Sequence, residues 1–223
     1  MRKFILSSLI LIYTLPGQAQ PARTSYGEYG LGVSTLNLTS ELSNSGNIDA
    51  LFKEMRPMVT GFAKYHFNDW LGTGVELSYG RLAASDFNHG NSDRGLSVNT
   101  NLYTSYAFAE AHFIRFGKFR RKRKFTLYVT AGAGIAAWNP TVTIPRRVPE
   151  DVQFETDAHT AFSYFTGAGV KFRLSYKSIL TVAGRFYNSG GDNVDGVILP
   201  EEQQTPENDR FWGIMASYSI MIF

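Results

Sequence analysis

The densest chemistry in the chain lies at Lys118 to Lys124, where KFRRKRK places six basic side chains in seven positions. Clusters of this kind hold phosphates or carboxylates. Ser85, Asp86 and His89 supply the residue types of a hydrolase triad. A triad, however, needs a base held within hydrogen-bond reach by a third fixed group, and SDFNHGNSD has the Gly- and Asn-rich composition of a loop tip. His66 and His112 could ligate a metal, yet the sequence brings no carboxylate to them at metal-binding spacing. Asp192, Asn193 and Asp195 match no calcium-loop spacing and read as turn residues. No catalytic residue, metal or cofactor is expected.

These residues belong to a chain of 223 residues with 14% aromatics, 18% charged residues and no cysteine. Zero Cys excludes a disulfide framework, thiolate zinc sites and cysteine catalysis. The low charge share, against a usual value of about 25%, points to exposed apolar surface. The formal net charge is +3. Met1 to Ala19 reads as a signal peptide, with Arg2 and Lys3 first, an apolar run from Phe4 to Leu15, and small residues at Gly17-Gln18-Ala19. Its removal leaves 20 basic against 19 acidic residues, so charge gives no reason to propose nucleic acid as a partner. Residues 20–223 then form one domain.

The elements that must position the candidate residues have a period of two. In Leu71 to Leu82, the residues Leu71, Thr73, Val75, Leu77 and Tyr79 alternate with Gly72, Gly74, Glu76, Ser78 and Gly80. Phe125 to Trp138 and Phe162 to Leu174 repeat the pattern, and weaker copies lie at 26–38, 56–67, 102–116, 179–188 and 211–223. This gives eight strands. Their connections alternate in length: Asn68-Asp69, Gly117 to Lys124 and Ser175 to Ser178 are short, whereas 39–55, 82–101, 139–161 and 188–210 are long. An even strand number with short turns at one end and long loops at the other describes an outer-membrane barrel with both termini periplasmic. The expected fold is therefore all-β, an eight-stranded antiparallel transmembrane β-barrel.

A water-soluble barrel would show the same alternation, and the charges discriminate. Glu28, Lys64, Glu76, Glu110, His112, Lys171, Arg173 and Arg185 all fall on the polar face among Gly and Ser. In a membrane barrel that face lines a lumen just wide enough for side chains. Glu28, Lys64, Glu76, Glu110, Lys171 and Arg185 would form its polar network and plug it, with Lys64 and Glu76 diagonal neighbours across the Asn68-Asp69 turn. Aromatics gather at the strand ends, Tyr65, Phe67 and Trp70 around one turn and Phe113, Phe116 and Phe125 around another, as an interfacial girdle requires. The last strand leaves its register open. Its even positions are the more apolar, but placing Phe223 toward lipid would carry Ser217 and Ser219 with it.

The chain also resembles a known family. Arg56-Pro57 before a strand ending Tyr65-His66-Phe67-Asn68, then Ser78-Tyr79-Gly80-Arg81, Arg94-Gly95-Leu96-Ser97 and LYVTAGAGIAAWNP at 127–140 are similar to the small outer-membrane barrels that include the PorG component of type IX secretion. Gly184-Arg185 and Asp192-Asn193-Val194-Asp195 extend the likeness, which covers most of 26–196. It implies a barrel of OmpA/OmpX-like architecture in the outer membrane of a Gram-negative bacterium, without enzymatic activity. It also implies a structural or assembly role, including a place in a secretion machine. The implied partners are outer-membrane lipid, the barrel-assembly machinery during biogenesis, and periplasmic secretion-complex proteins. A surface-binding barrel using the long loops and a lipid-modifying enzyme are the alternatives. In this setting Lys118, Arg120, Arg121, Lys122, Arg123 and Lys124 form a periplasmic basic turn, either solvated beside anionic headgroups or docking an acidic partner.

Overall fold

The computed structural model describes residues 24–39, 53–85, 97–120, 122–143, 153–154, 157–190, 194, 197–198 and 210–223. The proposed signal peptide, Asp86, His89, Asp192, Asn193, Asp195 and Arg121 lie outside the described residues. The strands are β1 (Tyr26–Thr39), β2 (Arg56–His66), β3 (Leu71–Ser85), β4 (Ser97–His112), β5 (Phe125–Thr143), β6 (Gln153–Phe154), β7 (His159–Arg173), β8 (Ser178–Asn188), β9 (Val197–Ile198) and β10 (Arg210–Ile222). Eight of them close a barrel in the order β1-β10-β8-β7-β5-β4-β3-β2, while β6 and β9 pair as a separate two-stranded sheet. All neighbours in the barrel are antiparallel, and β1 closes on β10 from Gly27↔Ile222 to Thr39↔Arg210.

Strands reach further than the sequence suggests on the long-loop side. β5 continues to Thr143, and β3 and β4 extend their pairing to Ser85↔Ser97, so the second and third long connections are shorter than expected. At the other end the turns are tight. Asn68 Oδ1 accepts hydrogen bonds from Trp70 N and Leu71 N, both at 2.8 Å, which folds the chain back and sets Lys64 opposite Gly74.

The alternation separates two faces. Leu31, Val33, Val75, Leu77, Ile135, Phe162 and Phe186 are all more than half exposed on the outside. So much contiguous apolar surface is stable only against lipid. Inside, the described residues form layers along the axis. Tyr26, Phe116, Ile179 and Met221 pack together at the short-turn mouth. Toward the long loops a larger cluster gathers Leu36, Met58, Leu82, Leu102, Tyr106, Phe165, Trp138 and Phe211. Val194, from the β8–β10 connection, is fully buried in that second cluster, and its carbonyl accepts a 2.7 Å hydrogen bond from Thr100.

One expectation is corrected here, and one open register is settled. Phe116 is not part of the outer girdle: it is fully buried. Phe116 has the same even parity as Glu110 and His112, which face the lumen, and the chain keeps that direction past the strand end at His112 while Phe113 and Arg115 stay outside. The last strand is also settled. Ser217, Ser219 and Met221 face the lumen while Ile214, Tyr218 and Ile222 face out. Phe223 is exposed as well, because it follows the strand end and escapes the alternation.

Candidate functional site

The polar face brings its charges together between the two apolar layers, in two groups. Around Glu28 and Glu110 meet side chains from several strands. Glu28 Oε2 accepts from His66 Nε2 at 2.9 Å and Lys171 Nζ at 3.2 Å, and Oε1 accepts from Ser219 Oγ at 2.8 Å. Glu110 Oε2 accepts from Lys64 Nζ at 3.1 Å, and Oε1 from His112 Nε2 at 2.7 Å and from Lys171 Nζ. Lys64 also lies 3.4 Å from Glu28 Oε1. Two carboxylates therefore face two ammoniums. With the proton on Nε2 of each imidazole, the buried Nδ1 atoms of His66 and His112, which have no partner, are acceptors and leave no orphaned donor.

The second group is simpler. Arg185 Nη1 donates to both oxygens of Glu76, at 2.7 and 2.9 Å, and its guanidinium lies 4.6 Å from the centre of the Phe165 ring. All six residues expected to form the network line the lumen and are buried. Their partners differ in part from expectation. Lys64 and Glu76 are diagonal in register, but Lys64 turns to Glu28 and Glu110 while Glu76 takes Arg185 across the lumen. Nearby small residues make room for this. A Cβ on Gly72 would lie 2.6 Å from His66 Nδ1, so the imidazole occupies the space a side chain there would need.

The carboxylate missing from the sequence argument about His66 and His112 is Glu110. The donor atoms of His66, Glu110 and His112 lie within 4.8 Å of one another. Strand pairing across β3 creates this proximity, which linear spacing cannot show for His66. Two ammoniums already hold this group: Lys171 contacts the same Glu110 oxygen that His112 reaches, and Lys64 lies 3.1 Å from the other. The cluster is thus a cation cage filled by two tethered side chains, Lys64 and Lys171.

Below the cage the β4–β5 turn stops the mouth. Phe116 N donates to Asp69 O at 3.1 Å, and the Arg173 guanidinium lies 4.5 Å from the centre of the Phe116 ring while donating to Gly117 O at 2.8 Å. Arg120 Nε donates to Asp69 Oδ2 at 3.0 Å. The basic run is therefore not wholly a free solvated turn. Arg120 latches it to the β2–β3 turn, whereas Lys122, Arg123 and Lys124 are exposed, as is Phe119. Ser85, from the imagined triad, ends β3 with its backbone N–H donating to Glu54.

A filled lumen, an apolar exterior and a closed eight-stranded sheet define an outer-membrane barrel, and the sequence comparison agrees. The family model described as "Outer membrane protein beta-barrel domain" matches residues 7–219. The chain belongs to this outer-membrane β-barrel family. Among solved structures, the Neisserial surface protein A is similar with a TM-score of 0.54 at 14% identity, covering 88% of this chain and 96% of that one. A major outer membrane protein from Thermus thermophilus aligns with a TM-score of 0.46 at 10% identity, over 88% of this chain and 99% of that one. For OprG from Pseudomonas aeruginosa the values are 0.44 and 9%, over 89% and 96%. At such identities the likeness to the Neisserial barrel is one of fold. No curated protein matches the sequence.

Proposed function

We propose that this barrel is a sealed, non-enzymatic outer-membrane protein with a structural or assembly role, its short turns and both chain ends facing the periplasm. The observation that carries the reading is the lumen itself. Three layers of buried side chains occupy it, with the Glu28–Lys64–Glu110–Lys171 cage between an apolar stopper at one mouth and an apolar cluster at the other. Such an interior fits an anchor better than a pore. A place in a type IX-like secretion machine, which the resemblance to the PorG group implies, is a specific form of this role. It requires a protein contact at the short-turn end.

One observation favours a second reading, a barrel that binds through its long loops. The β6–β9 pair ties the β5–β7 connection to the β8–β10 connection, and Val194 fastens the latter over the mouth. The two readings separate by complementation of a strain lacking the protein. Replacing 144–158 with a short linker should restore wild-type outer-membrane protein content and secretion if the barrel is a structural or assembly element. Loss of function on that trimming would favour the loop-binding reading. Crosslinking from the periplasmic side, with partners identified by mass spectrometry, tests the secretion-machine form directly; capture of no secretion component would remove it.

A further inference from the structure

The β4–β5 turn does two opposite things in succession. Phe116 enters the barrel mouth, and three residues later Phe119 stands outside, 57% exposed. Around it are aromatic side chains that mark the membrane boundary at the same end: Phe113, Phe125, Tyr176 and Phe223 are all exposed. The Tyr176 and Phe223 ring centres lie 4.9 Å apart, and Lys118 Nζ sits 5.0 Å from the Phe223 ring and 5.4 Å from the Phe119 ring. Rings of this kind settle at headgroup depth. The basic run therefore leaves the barrel where headgroup phosphates are.

Phe119, Arg120, Lys122 and Arg123 line an open recess of about 510 Å³. Asp69 fixes Arg120 through Nε, which orients its guanidinium. Among the described residues no carboxylate pairs with Lys122, Arg123 or Lys124. We propose that this recess binds the phosphate of an anionic phospholipid headgroup, with the Phe119 ring set against the glycerol and upper acyl region. A soluble acidic protein would meet the same charges, but it gives no account of an exposed ring at belt depth encircled by cations. The natural occupant being phospholipid rests on the periplasmic orientation proposed above, since that leaflet carries the phospholipids.

The test uses the purified full chain in nanodiscs of phosphatidylcholine with or without phosphatidylglycerol, with retained lipid counted by native mass spectrometry. With Arg120, Lys122 and Arg123 lining the recess, wild type should retain phosphatidylglycerol about a hundredfold over phosphatidylcholine. Each basic side chain near an anionic surface is worth about fivefold, so the pair Lys122→Ser and Arg123→Ser should reduce that preference about twenty-five-fold. Both side chains are exposed, and heat-modifiability on a gel confirms that the variant still folds. Phe119→Ser should shorten lipid retention without abolishing headgroup preference. Equal retention of the two lipids, or an unchanged preference in the double variant, overturns the proposal. So does displacement by millimolar inorganic phosphate, which makes the recess a free-anion site, and so does capture of polyglutamate by protein in pure phosphatidylcholine, which makes it a protein-docking surface. Orientation is read separately. Lys122→Cys introduces a lone thiol into a cysteine-free chain, and labelling of intact cells by an impermeant maleimide would refute the periplasmic placement without touching the lipid result.

Discussion

Replacing Lys171 with Met removes one of the two cations that bridge both cage carboxylates. Lys171 is fully buried, 3.2 Å from Glu28 Oε2 and in contact with Glu110 Oε1. Met preserves most of the volume, so packing contributes little to the loss. What remains is Glu28 and Glu110 sharing one ammonium, Lys64, at 3.4 and 3.1 Å. An uncompensated buried charge costs about 3–5 kcal/mol, a large part of a typical total stability of about 5–15 kcal/mol. Adding Glu28→Gln restores one carboxylate to one ammonium, so the double variant should recover at least half of the loss and be more stable than the sum of the single effects. Reversible urea unfolding in lipid vesicles, followed by Trp fluorescence, measures all three. A loss below about 1 kcal/mol for Lys171→Met, or strictly additive effects, would refute the view that the cage is held by charge balance.

Three further substitutions probe other parts of the account by the same unfolding assay. Val75 is 59% exposed on β3, and Val75→Lys should cost about 2–4 kcal/mol if it meets lipid near the midplane, and almost nothing if it meets water. Phe116→Ala empties the stopper at the short-turn mouth and should cost about 3–5 kcal/mol; a surface-like value would return Phe116 to the outer girdle. Gly190 has φ of +66°, and a Cβ there would lie 1.8 Å from the Phe162 carbonyl oxygen, so Gly190→Ala should destabilise by more than about 1 kcal/mol. Full stability of that variant would mean that the β8 end adopts another conformation.

Period-two patterning is legible because both faces of a membrane barrel are chemically constrained at once. Val75 and Leu77 need lipid, Glu76 needs a partner, and one residue of slip would exchange them. The Asn68-Asp69 turn even specifies the pairing register. Ionic partners are less legible, since Lys64 pairs with Glu28, its direct neighbour across β1 and β2, and also with Glu110, which an intervening strand separates from it and only the curvature of the barrel brings near. Pairing of β1 with β2 brings Glu28 to His66, 38 residues apart, whereas the curvature of the barrel brings Lys171 to Glu110 across β5, 61 residues apart. Phe116 keeps the even, lumen-facing parity of Glu110 and His112, which grouping it with the turn aromatics hides, whereas Phe223 leaves the last register open because it follows the strand end and departs from the alternation. Tyr26 and Ser219, which complete the lumen beside the cage, carry no stronger signal in the sequence than any other small or aromatic polar residue. The basic turn is visible as charge, but its division into a latched Arg120 and a free outer face needs Asp69 in three dimensions.

The most direct test of a sealed barrel is electrical. Purified protein is inserted into planar lipid bilayers, insertion is verified by heat-modifiability of the recovered protein, and current is recorded under applied voltage. Layers of buried side chains at both mouths and in the ion cage predict a baseline without stable conductance steps. Reproducible, long-lived channels of large conductance from the folded wild-type protein would contradict it.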